Sequence, residues 1–286
     1  MLSASASEAK LVTQLQLAVD RSELTLAYQP KLHLHSGKVA GVEALSRWQN
    51  DKGEQIEPST FIPVAERSGL IDALTDSIVR GALRQWVSWR EQGIKANVAF
   101  NLSALSLRDV YLPDYLHGLC LHEDVPPQFV TVEVTEGATQ HVVRLLDTLT
   151  RFRLKGFGLA LDDFGTGYSS LLQLRQLPYS ELKIDRCFVR DATASKESRL
   201  IIKAAIDLAH GFGLVATAEG VENVGTLNLL KELGCDFAQG FLVGRPMPGS
   251  AFAPWLLEQA PSWRSHQTDL AIWEAAARDA EANGSR

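Results

Sequence analysis

The amino-acid sequence reads as an α/β protein, a TIM-like (β/α)8 barrel with an antiparallel first strand pair. Three observations lead there. Short apolar runs alternate with longer stretches of helical periodicity along most of the chain. Eight such runs are present, the number that closes a barrel. The first two are joined only by residues near His35–Gly37, too few for a helical crossover, so this pair must form a hairpin.

The runs are Leu24–Tyr28, Val39–Val42, Val98–Phe100, Phe129–Val132, Phe157–Leu161, Leu182, Leu214–Ala218 and Phe237–Ala238. The one at Leu182 is too short to be read by itself. Residues 70–91 carry Leu70, Leu74, Ile78, Ala82 and Trp86 at steps of about four, which puts them on one helix face. Val142, Leu145, Leu149 and Phe152 do the same for 138–154 and Leu200, Ala204 and Leu208 for 197–211, while Val224, Leu227, Leu230 and Leu233 recur at steps of three over 222–233. Gly93, Gly156, Gly213 and Gly234 follow these helices, where a left-handed cap favours glycine. Repeated strand–helix units place parallel strands in one sheet with helices outside it.

The expected division is a linker helix over residues 1–23, the barrel over 24–250 and a helical extension over 251–286. Leu11, Leu15 and Val19 give the first segment its helical spacing. The last is polar and alanine-rich, and contains Trp255, Trp263 and Trp273.

Composition narrows the function. Hydrophobic residues make up 45% and charged residues 22% of the 286, ordinary values for a globular protein. The formal net charge of −6 and the lack of a basic stripe argue against a nucleic-acid polymer as partner. A small anionic ligand remains compatible, because bound cations can supply positive charge. Cys120, Cys187 and Cys235 are odd in number and lack CxxC spacing, which argues against a disulfide framework or zinc site and predicts buried free thiols. No apolar run reaches the ~18 residues of a membrane span, and no signal-peptide core is present. The expectation is a soluble, cytoplasmic chain without membrane contact.

The chemistry is read from the polar residues at the C-terminal ends of the apolar runs. Glu43, Asn101, Glu133, the pair Asp162 and Asp163, Lys183, Glu219 and Gln239 each stand just after one of them. In a closed barrel such positions converge on one mouth, where barrel enzymes place their active sites. Carboxylates gathered there repel one another, and burial disfavours their charged forms. Divalent cations remove that penalty. Carboxylates with one amide, and no clustered His or Cys, suit Mg²⁺ or Mn²⁺. Consecutive strand residues point to opposite faces, so Asp162 and Asp163 can share a ligand only at a frayed strand end. There they can bridge two ions, a recurring arrangement for phosphodiester hydrolysis. Lys183 could orient or deprotonate the attacking water, or screen phosphate charge.

These residues sit in stretches that closely resemble the EAL family of cyclic di-GMP phosphodiesterases. The stretches are LAYQPKL at 26–32, GVEALSRW at 41–48, FIPVAERSGLI at 61–71, NLS at 101–103 and EVTEGA at 133–138. They continue with DDFGTGYSSL at 162–171, LKID at 182–185, AEGVEN at 218–223 and GCDFAQGFLVGRPMP at 234–248. Two small departures, Phe241 for a frequent tyrosine and Asn223 for a frequent threonine, touch none of the chemistry.

The resemblance implies metal-dependent cleavage of cyclic di-GMP to linear pGpG with two ions. Glu43, Asn101, Glu133, Asp162 and Asp163 would bind the metals, with Asp162 as bridge and Glu219 joining directly or through water. Lys183 and Gln239 would position water and phosphate. Gln29, Leu45 and Arg47 would hold substrate, and Asp76 and Pro248 would contact guanine. Asp185 and Glu222 match family positions that serve either ligand contact or loop support. Glu136 would anchor the loop 164–171, the part of the family that couples dimer packing to metal binding. A homodimer and an upstream sensory or GGDEF domain are implied with it. The competing readings are a cyclic di-GMP receptor without turnover and an unrelated metal-dependent barrel enzyme.

Overall fold

The computed structural model describes residues 2–135, 142–167 and 171–263. Helix α1 (Leu2–Asp20) precedes a hairpin of β1 (Thr25–His33) and β2 (Val39–Gln49), and β3 (Gln55–Ile56) folds back on the end of β2. Helices α2 (Pro58–Ser68) and α3 (Ile71–Glu91) lead to β4 (Asn97–Asn101), and α4 (Leu112–His122) to β5 (Val130–Thr135). Then come α5 (Val142–Leu154), β6 (Gly158–Phe164), α6 (Leu171–Gln176), β7 (Glu181–Ile184), α7 (Arg186–Arg190), α8 (Lys196–Gly211) and β8 (Val215–Ala218). The chain continues through α9 (Val224–Glu232), β9 (Phe237–Gln239), β10 (Met247–Pro248) and α10 (Gly249–Trp263).

Eight strands close a barrel in the order β1-β9-β8-β7-β6-β5-β4-β2, sealed by pairing of β1 with β2. From β2 through β9 each of these pairs is parallel. Strand β1 is antiparallel to both neighbours, from Thr25 opposite Arg47 to Leu32 opposite Val39 on one side. This is the expected barrel with one reversed strand. Gly93, Gly156, Gly213 and Gly234 all take positive φ, between 71° and 90°, just beyond the helices they follow.

Several boundaries differ from the expectation. β1 and β2 run to 9 and 11 residues, well past the apolar stretches that signalled them. The cause is polarity on their inner face: Gln29, Lys31 and Glu43 interrupt the apolar pattern without interrupting the ladder. Helices α2, α4, α6 and α7 had no separate signal. Of the cysteines, Cys120 and Cys235 are buried as expected, but Cys187 is exposed in the first turn of α7.

The main core lies between the strands and the outer helices. Helix α3 contributes Val79, Ala82, Leu83, Trp86 and Trp89 from its buried face. Both indole N–H groups are satisfied, Trp86 by the Ala96 carbonyl at 2.8 Å and Trp89 by that of Gly249 at 2.9 Å. Phe252 of α10 packs on Trp89 with ring centroids 4.8 Å apart. Helix α1 is seated over α2 through a second cluster, in which Leu15 and Ala18 meet Trp48, Phe61 and Val64. Ala40, Val215 and Phe237 form a small apolar floor at the strand starts. No helix among the described residues is long and apolar enough to cross a membrane.

A carboxylate-rich candidate active site at the barrel rim

Above that floor the barrel interior is polar. Lys183 of β7 is fully buried, and its ammonium lies 2.7 Å from Glu133, 2.8 Å from Glu219, 3.1 Å from Asp162 and 3.5 Å from Glu43. β7 and β2 are not neighbours in the sheet, so the contact with Glu43 crosses the barrel. Two amides complete the enclosure. Asn101 donates to Glu43 Oε1 at 2.8 Å, and Gln239 donates to Glu43 Oε2 at 2.7 Å. Glu43 is therefore held at both oxygens from opposite sides of the mouth.

The aspartate pair reaches the same space through a backbone distortion. Asp163 has φ of +56°, the left-handed region, and the β6–β7 register slips between Leu161 and Phe164. Its N–H donates to Asp162 Oδ1 at 3.0 Å. This kink allows adjacent carboxylates to turn the same way, where a regular strand would alternate them. One oxygen each from Asp162, Asp163 and Glu219 then lies within 4.8 Å of the others. Asp185 follows β7 directly, next to the kink. It caps α7 by accepting from the Cys187 N–H at 2.8 Å, and its charge helps to raise the Asp163 carboxyl.

A tight backbone crossing sets the height of Glu219. The Val221 N–H donates to the Gln239 carbonyl at 3.0 Å. Gly240 makes room for this: a Cβ there would stand 2.2 Å from the Val221 nitrogen. The loop bearing Glu219 and Glu222 is thus tied to the strand end that bears Gln239.

The electrostatics are those of crowded, buried acids. Burial, then the neighbouring Glu43 charge, drives the Glu133 carboxyl far above its usual range, against Lys183. Burial also raises Glu43, but the Lys183 ammonium and the hydrogen bonds from Gln239 and Asn101 carry it below its ordinary value. Glu219 is pushed up to about 8 chiefly by burial, and Asp163 to about 6 by burial, Asp162 and Asp185. Burial works against the Lys183 charge, yet the four carboxylates around it raise its pKa well above normal, so it is an ammonium. Of the roles open to it, the cationic ones fit.

The residues fit divalent cations. Glu133 Oε1 is buried with no hydrogen-bond partner. Five carboxylates face one ammonium, an excess of four negative charges when all are ionised, which is the charge of two divalent ions. The donors are oxygens, as Mg²⁺ and Mn²⁺ prefer.

One cavity opens from this centre, and a second lies apart from it on β1 and β2. The first, of about 410 Å³, is lined by Gln29, Glu43, Asp162, Asp163, Asp185, Glu219, Glu222 and Gln239 among others, and also by Phe241, which was expected to stand apart from the chemistry and instead borders it. The lining cations of this cavity are Arg186 and Arg190, which the sequence reading did not single out. The other, about 560 Å³, lies farther along β1 and β2 and is lined by Thr25, Arg47, Glu57 and Pro248 among others. Leu45, half-buried on β2, stands between Glu43 and Arg47. Asp76 lines neither cavity, since its carboxylate is taken by Arg80 at 2.9 Å and by the Tyr115 hydroxyl. Glu136 and part of the loop 164–171 lie outside the described residues.

The family model described as EAL domain matches residues 12–246, most of the chain. The chain belongs to the EAL domain family. Among curated relatives of this EAL domain is the bifunctional diguanylate cyclase/cyclic di-GMP phosphodiesterase MucR of Pseudomonas aeruginosa, 40% identical over 241 residues, 84% of this chain and 35% of MucR. The cyclic di-GMP phosphodiesterase NbdA of the same organism is 37% identical over 264 residues, 90% of this chain and 34% of NbdA. The EAL domain thus spans about a third of the length of these relatives. The solved PaMucR phosphodiesterase in complex with c-di-GMP superposes with a TM-score of 0.81 at 39% identity, covering 85% of this chain and 99% of that one.

Proposed function

We propose that this EAL domain hydrolyses cyclic di-GMP to linear pGpG with two divalent cations, Mg²⁺ or Mn²⁺. The observation that carries the reading is the gathering of Glu43, Glu133, Asp162 and Glu219 around a buried ammonium, with Asn101 bonded to Glu43, Asp163 beside Asp162 and Glu219, and one Glu133 oxygen left unpartnered. That MucR and NbdA are both described as cyclic di-GMP phosphodiesterases supports the same substrate.

Those six side chains would hold the cations, and Asp162 would be the residue shared between them. When bound, the cations supply a nucleophile at neutral pH and draw charge from the phosphodiester oxygens. Lys183, kept as an ammonium, orients the attacking water and screens phosphate charge. Gln239 and Gln29 fix the phosphate side of the ligand, and Asp185 borders the same cavity as Asp163. Water oxygen bonds to phosphorus, the P–O3′ bond breaks, and a proton passes to the departing 3′ oxygen, leaving a 5′-phosphate. Arg47, Leu45 and Pro248 hold the ligand in the second cavity, Arg47 by a charge-assisted bond. Asp76 could contact guanine only after releasing Arg80 and Tyr115. Glu222 faces the ligand from the loop it shares with Glu219.

In this reading residues 1–23 are a linker, 24–250 the catalytic barrel and 251–286 an added C-terminal segment. The parent protein is cytoplasmic and dimeric at this domain, with Glu136 steadying the loop 164–171. A sensory or GGDEF domain stands upstream.

The test is chromatography of cyclic di-GMP after incubation with the chain, with and without Mn²⁺. Metal-dependent appearance of pGpG is expected. Intact ligand at micromolar enzyme with either metal would overturn the reading.

A further inference from the structure

A second charged group lies deeper in the barrel than the rim. The Lys31 ammonium is 2.7 and 3.0 Å from the two oxygens of Glu181, and the Thr217 hydroxyl donates to Glu181 as well. Their exposures are 2%, 0% and 0%, so bulk solvent does not reach these bonds. β9 and β8 separate β1 from β7 in the sheet, so the Lys31–Glu181 contact spans the interior.

The three residues have a common relation to the rim. Lys31 is two positions from Gln29 on β1, Glu181 two from Lys183 on β7, and Thr217 two from Glu219 just past β8. Side chains two apart on a strand share a face. Because β1 runs opposite to the others, the rim residue is the upper one in every case. One bonded triad therefore underlies three rim side chains on three strands.

Stability does not explain such a group. Barrel interiors are ordinarily filled with branched apolar side chains. Replacing a buried ion pair by apolar residues of similar volume is often neutral or stabilising. What the pair adds is direction, since a satisfied buried network has one low-energy geometry and apolar contacts have many. We propose that Lys31, Glu181 and Thr217 are positioning residues, which fix the relative heights of β1, β7 and β8 and so hold Gln29, Lys183 and Glu219 in their working places.

The kinetic part of the test rests on the hydrolase reading; the metal-binding part does not. Lys31→Met alone would leave the Glu181 carboxylate buried and unpaired, which unfolds proteins, so the informative variants are the double K31M/E181M and the near-isosteric T217V. The melting temperature, Mn²⁺ affinity by calorimetry, and kcat and KM on cyclic di-GMP are measured for both and for the parent. The double variant is expected to melt close to the parent. Mn²⁺ affinity and kcat should each fall about 10–100-fold, the usual effect of losing a group that orients metal ligands, with KM far less changed. T217V should move the same two quantities in the same direction, by about threefold or more. A folded double variant with kcat and Mn²⁺ affinity unchanged overturns the proposal. So does a pair of variants that lose only melting temperature. If the double variant does not fold, T217V decides by the same two readouts. If the parent binds Mn²⁺ but leaves cyclic di-GMP intact, the hydrolase reading fails, and Mn²⁺ affinity alone judges the positioning role.

Discussion

The ammonium of Lys183 lies 2.7 Å from Glu133 Oε2, while Glu133 Oε1 is buried without a partner. The lysine thus answers half of a carboxylate whose other half faces the same interior as Glu43. Glu43→Ala removes the acid that Asn101 and Gln239 both grip. It should weaken Mn²⁺ binding by more than tenfold and abolish detectable pGpG formation, about 10²-fold or more. Calorimetry with Mn²⁺ and product chromatography read the two effects separately.

Lys183→Ala deletes the one cation shared by four carboxylates. The chemical step should slow by roughly 10²–10⁴-fold, the range for a positioned proton-handling or charge-screening group. Affinity for cyclic di-GMP should change much less. Single-turnover kinetics beside equilibrium binding make the distinction, and loss of binding with an intact chemical step would contradict the role.

The raised acids give a signed pH dependence. Glu219 at about 8 and Asp163 at about 6 retain protons in the folded, metal-free chain that the unfolded chain has already lost. The folded state binds more protons there, so stability falls as pH rises through about 6 and then about 8. Cations compete for the same oxygens, so Mn²⁺ affinity should climb over that window and binding should release protons. Melting curves and calorimetry at about pH 5, 7 and 9, with and without Mn²⁺, test both slopes. A metal-free melting temperature that rises across the window would refute the assignment.

Arg47 lines the second cavity, away from the carboxylates, and its guanidinium bonds the Ser46 carbonyl at 2.9 Å. Arg47→Ala should raise KM for cyclic di-GMP by about tenfold, the loss of one charge-assisted bond, with kcat within a few-fold. Steady-state kinetics at saturating metal would expose the reverse pattern.

Phe252 supplies a stability control far from the chemistry. It is fully buried against Trp89 and Trp255. Phe252→Ala should cost about 3–5 kcal/mol of unfolding free energy, read by urea denaturation. Mn²⁺ affinity in the surviving folded fraction should be unchanged.

The rim was legible in the sequence because each acid comes directly after an apolar run, and the eye needs only that contrast. Glu43, Glu133 and Lys183 were found this way, although each sits within its strand. The same contrast misled the strand lengths: inward polar residues ended the apolar signal of β2 at Val42, seven residues before the strand stops at Gln49. The Lys31–Glu181–Thr217 layer left no such mark. Lys31 looks like a surface lysine in one dimension, and only the crossing of the barrel shows what it meets. Alternation offered a hint, since Glu181 and Lys183, like Gln29 and Lys31, stand two apart. Asp76 was the opposite case. Arg80 one helical turn away was visible, but Tyr115 arrives from another helix and completes its engagement.

Reversal of the first strand has a topological result. In an all-parallel barrel the polypeptide enters at the floor, remote from the chemistry. Here it enters from above, and Glu23, Thr25 and Leu26 already border the same cleft as Arg47. The segment that joins α1 to the barrel therefore runs along the rim side, and α1 itself lies over α2, whose first residue, Pro58, lines the same cleft.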